Sequence, residues 1–404
     1  MNPSFPHPST SILQPSPSEV ISKSVPASTP RQDTGRAWIE INLSALRQNI
    51  GSVLKVLQPA TELWAVVKAN AYGHGAETVA HTALAAGASG LCVATLQEGI
   101  ELRQAGLHCP VMLFGVPLSD TDVCTALAHQ LEWTIAARQQ LTLCQTVARQ
   151  QQRSVPVHLN VDTGMSRLGV SWQDAVNLWR ALTQADGLVP LSLYSHFATA
   201  DELNHPATQQ QAQRFSELLQ ALHQQHLSPP SVHLANSAAT LAEQDWHYNR
   251  VRIGLALYGY TPANFLRDRC SLHPVMAVKA RITHLKKVPA GTGVSYGHRY
   301  CSKRPQTLAT VSIGYADGIP RRLSGQLQGW VNGYRVQQVG NVTMDQTVWM
   351  VPPDAGKAGA IAVGDVVDLF GEGWNAQHWA DTLGTIPYEI LCGFSTRLPR
   401  LTVD

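Results

Sequence analysis

The stretch ELWAVVKAN, residues 62–70, places a lysine directly after four apolar residues. The run from Trp64 to Val67 is typical of a parallel strand, which is covered on both faces and therefore lacks polar alternation. Lys68 lies where such a strand ends. Burial there would favour the neutral amine of Lys68 and make it a nucleophile toward an aldehyde. The alternative interpretation is a lysine with a buried stem whose ammonium group reaches water.

Seven further strand-like runs follow and alternate with segments of helical period. The eight runs are ELWAVVKAN (62–70), GLCVATL (90–96), VMLFG (111–115), LEWTIA (131–136), VPVHLNVDTG (155–164), LVPLSLYSHFA (188–198), SVHLANS (231–237) and RVRIGLALYG (250–259). Parallel strands need helical crossovers, and eight strand-helix units close into a (β/α)8 barrel. We therefore expect an α/β protein with a TIM-like barrel over residues 45–262. An open doubly wound sheet is the competing arrangement.

The pattern changes on either side of the expected barrel. After residue 262, β-rich segments are separated by Gly and Pro, which predicts a second, mainly β domain over residues 263–404. The strand-like segment at residues 37–44 precedes the first barrel helix and is expected to join the β domain. Residues 1–36 are rich in Pro, Ser and Thr and cannot bury much apolar surface, so we expect a disordered tail. An organelle address is the alternative interpretation of this segment.

Composition and charge restrict the class of protein. A chain of 404 residues that is 44% hydrophobic can bury a large core. Its net charge of +2 includes no Lys/Arg runs, which argues against a nucleic acid or a membrane surface as partner. No stretch approaches the roughly 20 apolar residues needed to span a bilayer. Seven scattered cysteines favour free thiols in a reducing cytoplasm, and the histidines lack the spacing of metal ligands.

Polar residues also follow the carboxyl ends of later strand-like runs, where a barrel gathers its functional loops. They are Asp162 and Arg167 after run five, His196 in run six, Asn236 and Ser237 in run seven, and Arg252 and Gly254 in run eight. The Ser237 hydroxyl and the backbone near Gly254 could bind a phosphate group, although Ser237 could equally be a helix N-cap. A phosphorylated aldehyde cofactor would satisfy both this region and Lys68.

Eight motifs along the chain resemble the motif series of the alanine racemases, which are pyridoxal-phosphate enzymes with a barrel and a β domain. The motifs are AVVKANAYGHG, NVDTGMSRLGV, YSHFATAD, HLANSAA, VRIGLALYG, GVSYG, SIGYADG and GNVTMDQ. Their order and spacing also match, and the resemblance covers residues 37–404. It implies a homodimer with shared active sites that interconverts L-alanine and D-alanine and supplies D-alanine for peptidoglycan.

The resemblance also implies roles for individual residues. Lys68 would bind the cofactor aldehyde and act as one base, and Tyr296 of the partner subunit would act as the second. The other implied positions are Tyr72, Ser237, Gly254, Leu255 and Tyr388 at the phosphate with Asn236 beside them, His196 and Arg252 at the ring, and Arg167, Met344 and Asp345 at the substrate carboxylate. Arginine stays protonated, so Arg252 would leave the ring nitrogen unprotonated, which favours a racemase over related decarboxylases.

Two positions depart from the family pattern. Asn160 stands where a carbamylated lysine commonly holds the carboxylate-side arginine, and Thr343 stands where cysteine is common. Either the Asn160 amide orients Arg167 alone, or an anion such as chloride lies beside it. Both departures leave a serine or broad-specificity racemase as the alternative enzyme. A non-catalytic pyridoxal-phosphate carrier and an amino-acid sensor are the alternatives outside enzymes, and the first would not need Tyr296.

Overall fold

The computed structural model describes residues 35–358 and 360–404. The tail that we predicted over residues 1–36 lies outside this range except for its last two residues. One of these, Arg36, belongs to the folded part of the chain. Its guanidinium donates two hydrogen bonds, of 2.6 and 3.0 Å, to the carboxylate of the fully buried Asp317.

The first part of the chain forms a closed barrel of parallel strands. Strand β1 (Ala37–Asn42) precedes the barrel, and β7 (Val170–Ser171) is a short side strand that pairs with β6. The barrel strands are β2 (Glu62–Val66), β3 (Gly90–Val93), β4 (Val111–Leu113), β5 (Glu132–Ile135), β6 (Val155–Asp162), β8 (Leu188–Tyr194), β9 (Val232–His233) and β10 (Arg250–Ile253). From β2 to β9 each barrel strand pairs in parallel with the next, and β10 pairs with β2.

Backbone hydrogen bonds complete the ring between β9 and β10. The Asn249 amide donates to the Val232 carbonyl at 3.1 Å, and the Arg252 amide donates to the Ala235 carbonyl at 3.0 Å. The predicted (β/α)8 barrel is therefore confirmed. The open doubly wound alternative is wrong, because an open sheet would leave these strand edges unpaired.

Helices follow the barrel strands. Those of the barrel region are α1 (Leu43–Leu54), α2 (Lys68–Tyr72), α3 (Ala76–Ala85), α4 (Leu96–Gln104), α5 (Asp120–Ala128), α6 (Arg138–Gln151), α7 (Ala175–Thr183), α8 (Pro206–Gln224) and α9 (Ser237–Ala242). Local sequence fixes several starts. Thr95 and Glu98 form a capping box at α4, and Ser119 and Asp122 form one at α5, so backbone amides that the helix leaves free are satisfied. None of the described helices is both long and apolar enough to cross a bilayer.

The second part of the chain is a mainly antiparallel β structure. It contains β11 (Met276–Val288), β12 (Gly293–Val294), β13 (Tyr300–Cys301), β14 (Gln306–Val311), β15 (Gln328–Val331), β16 (Tyr334–Val339), β17 (Thr347–Val351), β18 (Val366–Phe370), β19 (Arg400–Val403) and the helices α10 (Pro353–Ala358), α11 (Ala376–Leu383) and α12 (Pro387–Cys392). Strands β14, β17, β16, β15, β18 and β11 close a six-stranded ring, because β14 also pairs with β11. Strand β1 extends this sheet, antiparallel to β11 and parallel to β19.

A buried asparagine on α1 joins the barrel to the segment that leads into β11. The Asn49 side chain donates to the carbonyls of Leu257, at 3.0 Å, and His273, at 2.8 Å, and accepts from the His273 amide at 2.7 Å. It has no exposed surface. One side chain thus satisfies three backbone groups from two separate segments.

We expect Asn49→Ala to destabilise the protein strongly, because it orphans these three backbone groups. Each buried group left without a partner costs about 1–3 kcal/mol. Thermal and urea unfolding would measure the loss. The matched control is Gln48→Ala, an exposed neighbour on the same helix. Equal stability of the two variants would contradict this assignment.

Candidate active site

The turn that follows β2 is left-handed. Lys68 begins α2, and the next four residues, Ala69 to Tyr72, all have φ of 52–53°, although none is glycine. Each left-handed L-residue costs roughly 1–2 kcal/mol, so the turn needs external support. The Glu98 carboxylate provides part of it by accepting a 2.6 Å hydrogen bond from the Ala69 amide. This conformation places Lys68 at the mouth of the barrel and buries Tyr72 against Tyr258 and Tyr388.

A cavity of about 260 Å³ lies at this mouth. Six residues singled out from the sequence line it: Lys68, Asn160, Asp162, Arg167, His196 and Arg252. Phe114 and Tyr194, which the sequence analysis did not single out, also line the cavity. The cavity therefore combines an amine, two guanidinium groups and an imidazole, with an aromatic wall.

The electrostatic surroundings of Lys68 favour its neutral form. Burial lowers its pKa, and the positive charge of Arg167 lowers it further, while the carboxylate of Glu98 acts in the opposite direction. The Nζ atom of Lys68 lies 5.9 Å from the centre of the Phe114 ring. A lysine of lowered pKa in a cavity is a better nucleophile and base than an exposed one.

Arg252 is buried below the cavity and is held through both terminal nitrogens. Nη2 donates to the Ser195 and Leu234 carbonyls at 2.8 and 3.2 Å and to Nδ1 of His196 at 3.2 Å, and Nη1 donates to Nδ1 of His233 at 2.6 Å. Burial lowers the pKa of Arg252. Burial and the positive charge of Arg252 together lower the pKa of His196 well below its usual value. The His196 imidazole is therefore neutral, and the cation beside it is Arg252.

A group of hydroxyls and backbone amides lies at the ends of β9 and β10, outside the lining of the cavity. The Ser237 hydroxyl accepts from the Gly254 amide at 3.0 Å, and the Tyr72 and Tyr388 rings lie 5.7 Å apart. A Cβ atom on Gly254 would come within 2.7 Å of the Tyr72 hydroxyl, so only glycine leaves this space open. Leu255 begins a short 3-10 helix here, whose first amides lack partners within the helix. These groups could hold a phosphate.

The N-cap of α9 is Asn236, whose side chain accepts from the Ala239 amide at 3.0 Å. The alternative that made Ser237 the cap is therefore wrong. The β9 backbone enters the helix one residue earlier than the hydroxyl pattern suggested, and this leaves the Ser237 hydroxyl directed toward Gly254.

Hydrogen bonds fix the orientation of the Asn160 amide. Thr134 donates its hydroxyl proton to the Leu113 carbonyl at 2.7 Å, so the Tyr194 hydroxyl must donate to Thr134. Tyr194 can then only accept from Nδ2 of Asn160, at 3.0 Å. Burial raises the pKa of Tyr194 to about 12, which keeps this donor protonated. Tyr194 escaped the sequence analysis because it ends β8 as an ordinary strand aromatic; its place as the first residue of the YSHFATAD motif was the available signal.

Three more of the predicted residues are absent from the cavity lining. Tyr296, Met344 and Asp345 belong to the β part of the chain and do not line the cavity of the same subunit. The side chains of Tyr296 and Met344 are strongly exposed, at 75% and 53%. The Asp345 carboxylate accepts a 2.7 Å hydrogen bond from Arg397. The single chain therefore places Lys68, Asn160, Arg167, His196 and Arg252 on one cavity. The group around Ser237, Gly254, Tyr72 and Tyr388 forms contacts of its own and does not line that cavity.

Comparison with known proteins identifies the family. Residues 41–262 match the model of the alanine racemase N-terminal domain, and residues 275–402 match that of the C-terminal domain. The alanine racemase of a Synechocystis strain is 47% identical over 91% of this chain and 99% of its own length, and that of a Nostoc strain is 46% identical over 91% and 96%.

Solved structures agree with this result. The alanine racemase of Clostridium difficile has a TM-score of 0.87 at 34% identity, covering 92% of this chain and 97% of its own. The Bacillus anthracis alanine racemase with bound L-Ala-P has a TM-score of 0.83 at 36% identity, covering 91% and 95%. The chain belongs to the alanine racemase family.

Proposed function

We propose that this protein is an alanine racemase that interconverts L-alanine and D-alanine with pyridoxal 5'-phosphate as cofactor. The observation that carries the proposal is Lys68, an amine of lowered pKa in one cavity with Arg167, His196 and Arg252. Family membership supports the same reaction. When bound, the cofactor supplies an electron sink that acidifies the α-hydrogen of an amino acid.

The residues present fit this cofactor. Lys68 would bind its aldehyde, and the neutral donors at Ser237, Gly254, Leu255, Tyr72 and Tyr388 would bind its phosphate. The glycine that leaves space beside the Tyr72 hydroxyl supports this fit, as does the arrangement of backbone donors at a helix start. Asn236 would act indirectly, because its side chain caps the helix that carries the phosphate-side serine.

At the other end of the cofactor, His196 would pack against the ring and Arg252 would face the ring nitrogen. The hydrogen bonds of Arg252 to protein groups all use Nη1 and Nη2, which leaves its Nε–H for the ring. A protonated guanidinium can donate there but cannot accept, so it would hold the ring nitrogen unprotonated. Transamination and decarboxylation, which gain most from a protonated ring, would be restrained.

Racemisation needs two proton-transferring groups on opposite faces of the same carbon. Lys68 would serve one face. Tyr296 of the partner subunit would serve the other, because the chain's own Tyr296 lies outside the Lys68 cavity and is exposed. Arg167 would bind the substrate carboxylate and assist the tyrosine, and Met344 and Asp345 of the partner loop would complete the carboxylate side. We therefore propose a head-to-tail homodimer.

Asn160 would orient Arg167 through its amide oxygen. The Nδ2 group donates to Tyr194, so the oxygen points away from that ring toward Gly169 and the cavity. Chloride beside Asn160 is the alternative, in which an anion replaces the charge of the family's carbamylated lysine. A neutral amide in this place, together with Thr343, keeps a serine or broad-specificity racemase as the second candidate function.

The cellular role follows from the product. We propose that D-alanine made here supplies peptidoglycan and that the reaction takes place in the cytoplasm. All seven cysteines are unpaired in the described part of the chain, which suits a reducing compartment.

The direct test is chiral analysis after incubation of the cofactor-loaded protein with equimolar L-alanine and L-serine. We expect D-alanine to dominate and Lys68→Ala to lower the rate at least about a thousandfold, since both the cofactor bond and one base are lost. Lys55→Ala, an exposed lysine at the end of α1, is the control and should retain full activity. D-serine formed at a comparable rate would move the assignment to a broad-specificity racemase, and no product from either substrate would refute racemisation.

Subunit mixing tests the shared site. Lys68→Ala and Tyr296→Phe should each be nearly inactive alone, yet mixed subunits should recover activity, because one of the two sites in a heterodimer keeps both native residues. About a quarter of wild-type activity is expected from a statistical mixture in which half of the dimers are hybrid. Recovery of activity must require exchange of subunits between dimers. The control is therefore a mixture of the two variants in which each was chemically cross-linked beforehand. Activity no greater than the sum of the separate variants would exclude a site built from two subunits.

Charge substitution near Lys68 should move its pKa in opposite directions. Arg167→Gln removes a nearby cation and should raise the pKa, so that the neutral amine appears only at higher pH; Glu98→Gln should lower it. The measurement is the pH dependence of imine formation between the cofactor-free protein and a neutral aromatic aldehyde, trapped by borohydride and located by mass spectrometry. Arg138→Gln, an exposed residue on α6, should leave the midpoint unchanged. Equal midpoints for Arg167→Gln and Glu98→Gln would contradict the electrostatic account.

A further inference from the structure

A row of four hydrogen bonds crosses the barrel interior from Arg252 to Glu132. Nη1 of Arg252 lies 2.6 Å from Nδ1 of His233, whose Nε2 lies 2.8 Å from the Ser192 hydroxyl. That hydroxyl lies 2.6 Å from Nδ1 of His158, and Nε2 of His158 lies 3.0 Å from the Glu132 carboxylate. The two imidazoles and the hydroxyl have no exposed surface.

The two ends of the row determine the direction of every hydrogen bond. A guanidinium only donates and a carboxylate only accepts. His233 must therefore accept at Nδ1 and carry its proton on Nε2, from which it donates to Ser192. Ser192 then donates to Nδ1 of His158, which donates from Nε2 to Glu132. Burial lowers the pKa of both imidazoles, so each is neutral and carries one proton.

Arg252 has no direct counter-charge. Its other partners are two backbone carbonyls and the neutral His196, and the Tyr194 ring lies 5.2 Å below its guanidinium. None of the ion pairs in the described part of the chain includes it. A buried cation without a counter-charge is costly. The only carboxylate to which these hydrogen bonds connect it is that of Glu132.

We propose that Glu132 is the remote counter-charge of Arg252 and positions it through His158, Ser192 and His233. A row of hydrogen bonds with a common direction polarises each member, so the carboxylate strengthens His233 as an acceptor toward the guanidinium. The hydrogen bonds belong to the chain alone, whereas the consequence for the cofactor ring rests on the proposed function. Glu132 is a positioning residue, because it touches neither the cavity nor Arg252.

The position of Glu132 makes the proposal specific. It is the first residue of β5, so it lies at the amino end of the barrel, opposite the cavity, and its side chain is 15% exposed. The Tyr194 ring stacks on His233 with 4.9 Å between centres and 3° between planes, which fixes the imidazole in place. A change at Glu132 can then reach Arg252 along the row without moving the cavity wall.

The test combines Glu132→Gln and Ser192→Ala in cofactor-free protein labelled with ¹⁵N-histidine. The His233 resonances are assigned by their loss in His233→Asn. We expect wild-type His233 to show a proton on Nε2 and a strongly hydrogen-bonded Nδ1. In both variants the Nδ1 resonance should move toward that of a nitrogen that accepts no hydrogen bond. Ser192→Thr, which keeps the hydroxyl, should restore the wild-type position.

The loaded enzyme gives a second readout. Glu132→Gln should lower kcat for alanine about tenfold and leave KM within about twofold, because the substrate carboxylate site is untouched. In the Ser192→Ala background the same change should have no further effect, since the row is already broken. Glu62→Gln is the matched control: Glu62 is the first residue of barrel strand β2, at the same end of the barrel, where it accepts from Trp64 and pairs with Arg250, and it is not part of the row.

The outcomes separate the two proposals. Additive effects of Glu132→Gln and Ser192→Ala, or an unchanged His233 resonance in both variants, would overturn the role of Glu132. If Glu132→Gln does not fold, Ser192→Ala with its threonine rescue decides by the same resonance. The two variants could shift the His233 resonance as expected while the wild-type protein binds cofactor but racemises nothing. That result would support the row and refute the proposed function.

Discussion

The left-handed turn after β2 is the constraint on which the arrangement of the site depends. Its four residues cost roughly 4–8 kcal/mol relative to ordinary backbone, and neighbouring groups must offset this strain. The Glu98 carboxylate accepts from the Ala69 amide, and the buried His74 imidazole lies 2.9 and 3.0 Å from the Ala71 and Tyr72 carbonyls. Burial lowers the pKa of His74 to about 4, so its neutral ring can donate a single proton there. The strain is therefore offset by hydrogen bonds with Glu98 and His74 of the same chain.

The same turn determines how the two parts of the chain meet. A Cβ on Gly73 would lie 2.4 Å from the Leu391 carbonyl of α12, so the backbones touch where a side chain would not fit. The Tyr72 ring packs 4.9 Å from Tyr258 and 5.7 Å from Tyr388. A turn that projected Tyr72 outward would lose both contacts. Lys68, Tyr72 and the contact of Tyr72 with Tyr388 of α12 are thus placed by one backbone conformation.

The features that could be predicted are those set by short patterns of residues along the chain. The features that could not be predicted depend on contacts between segments that are distant in sequence. Eight apolar runs with helical segments between them predicted the barrel, and strand ends then identified Lys68, His196 and Arg252. The turn itself could not be predicted, because Ala and Asn residues also suit right-handed helix. Glu132 and Ser192 look like ordinary strand residues, and only closure of the barrel aligns them with Arg252. Register across a barrel is a tertiary property that no window of sequence contains.

The loop that carries Met344 and Asp345 is exposed but is tied to a buried carboxylate. Asp345 is held by Arg397, which lies 3.4 Å from the buried Asp317, and Asp317 also binds Arg36. A single carboxylate thus ties both ends of the described chain to this loop, and losing it would leave two guanidiniums without their shared partner. Because the support is buried, the adjoining side chains can project from the surface without becoming loose. The proposed homodimer would use this support, because a loop ordered within its own chain loses less conformational freedom when it contacts another subunit.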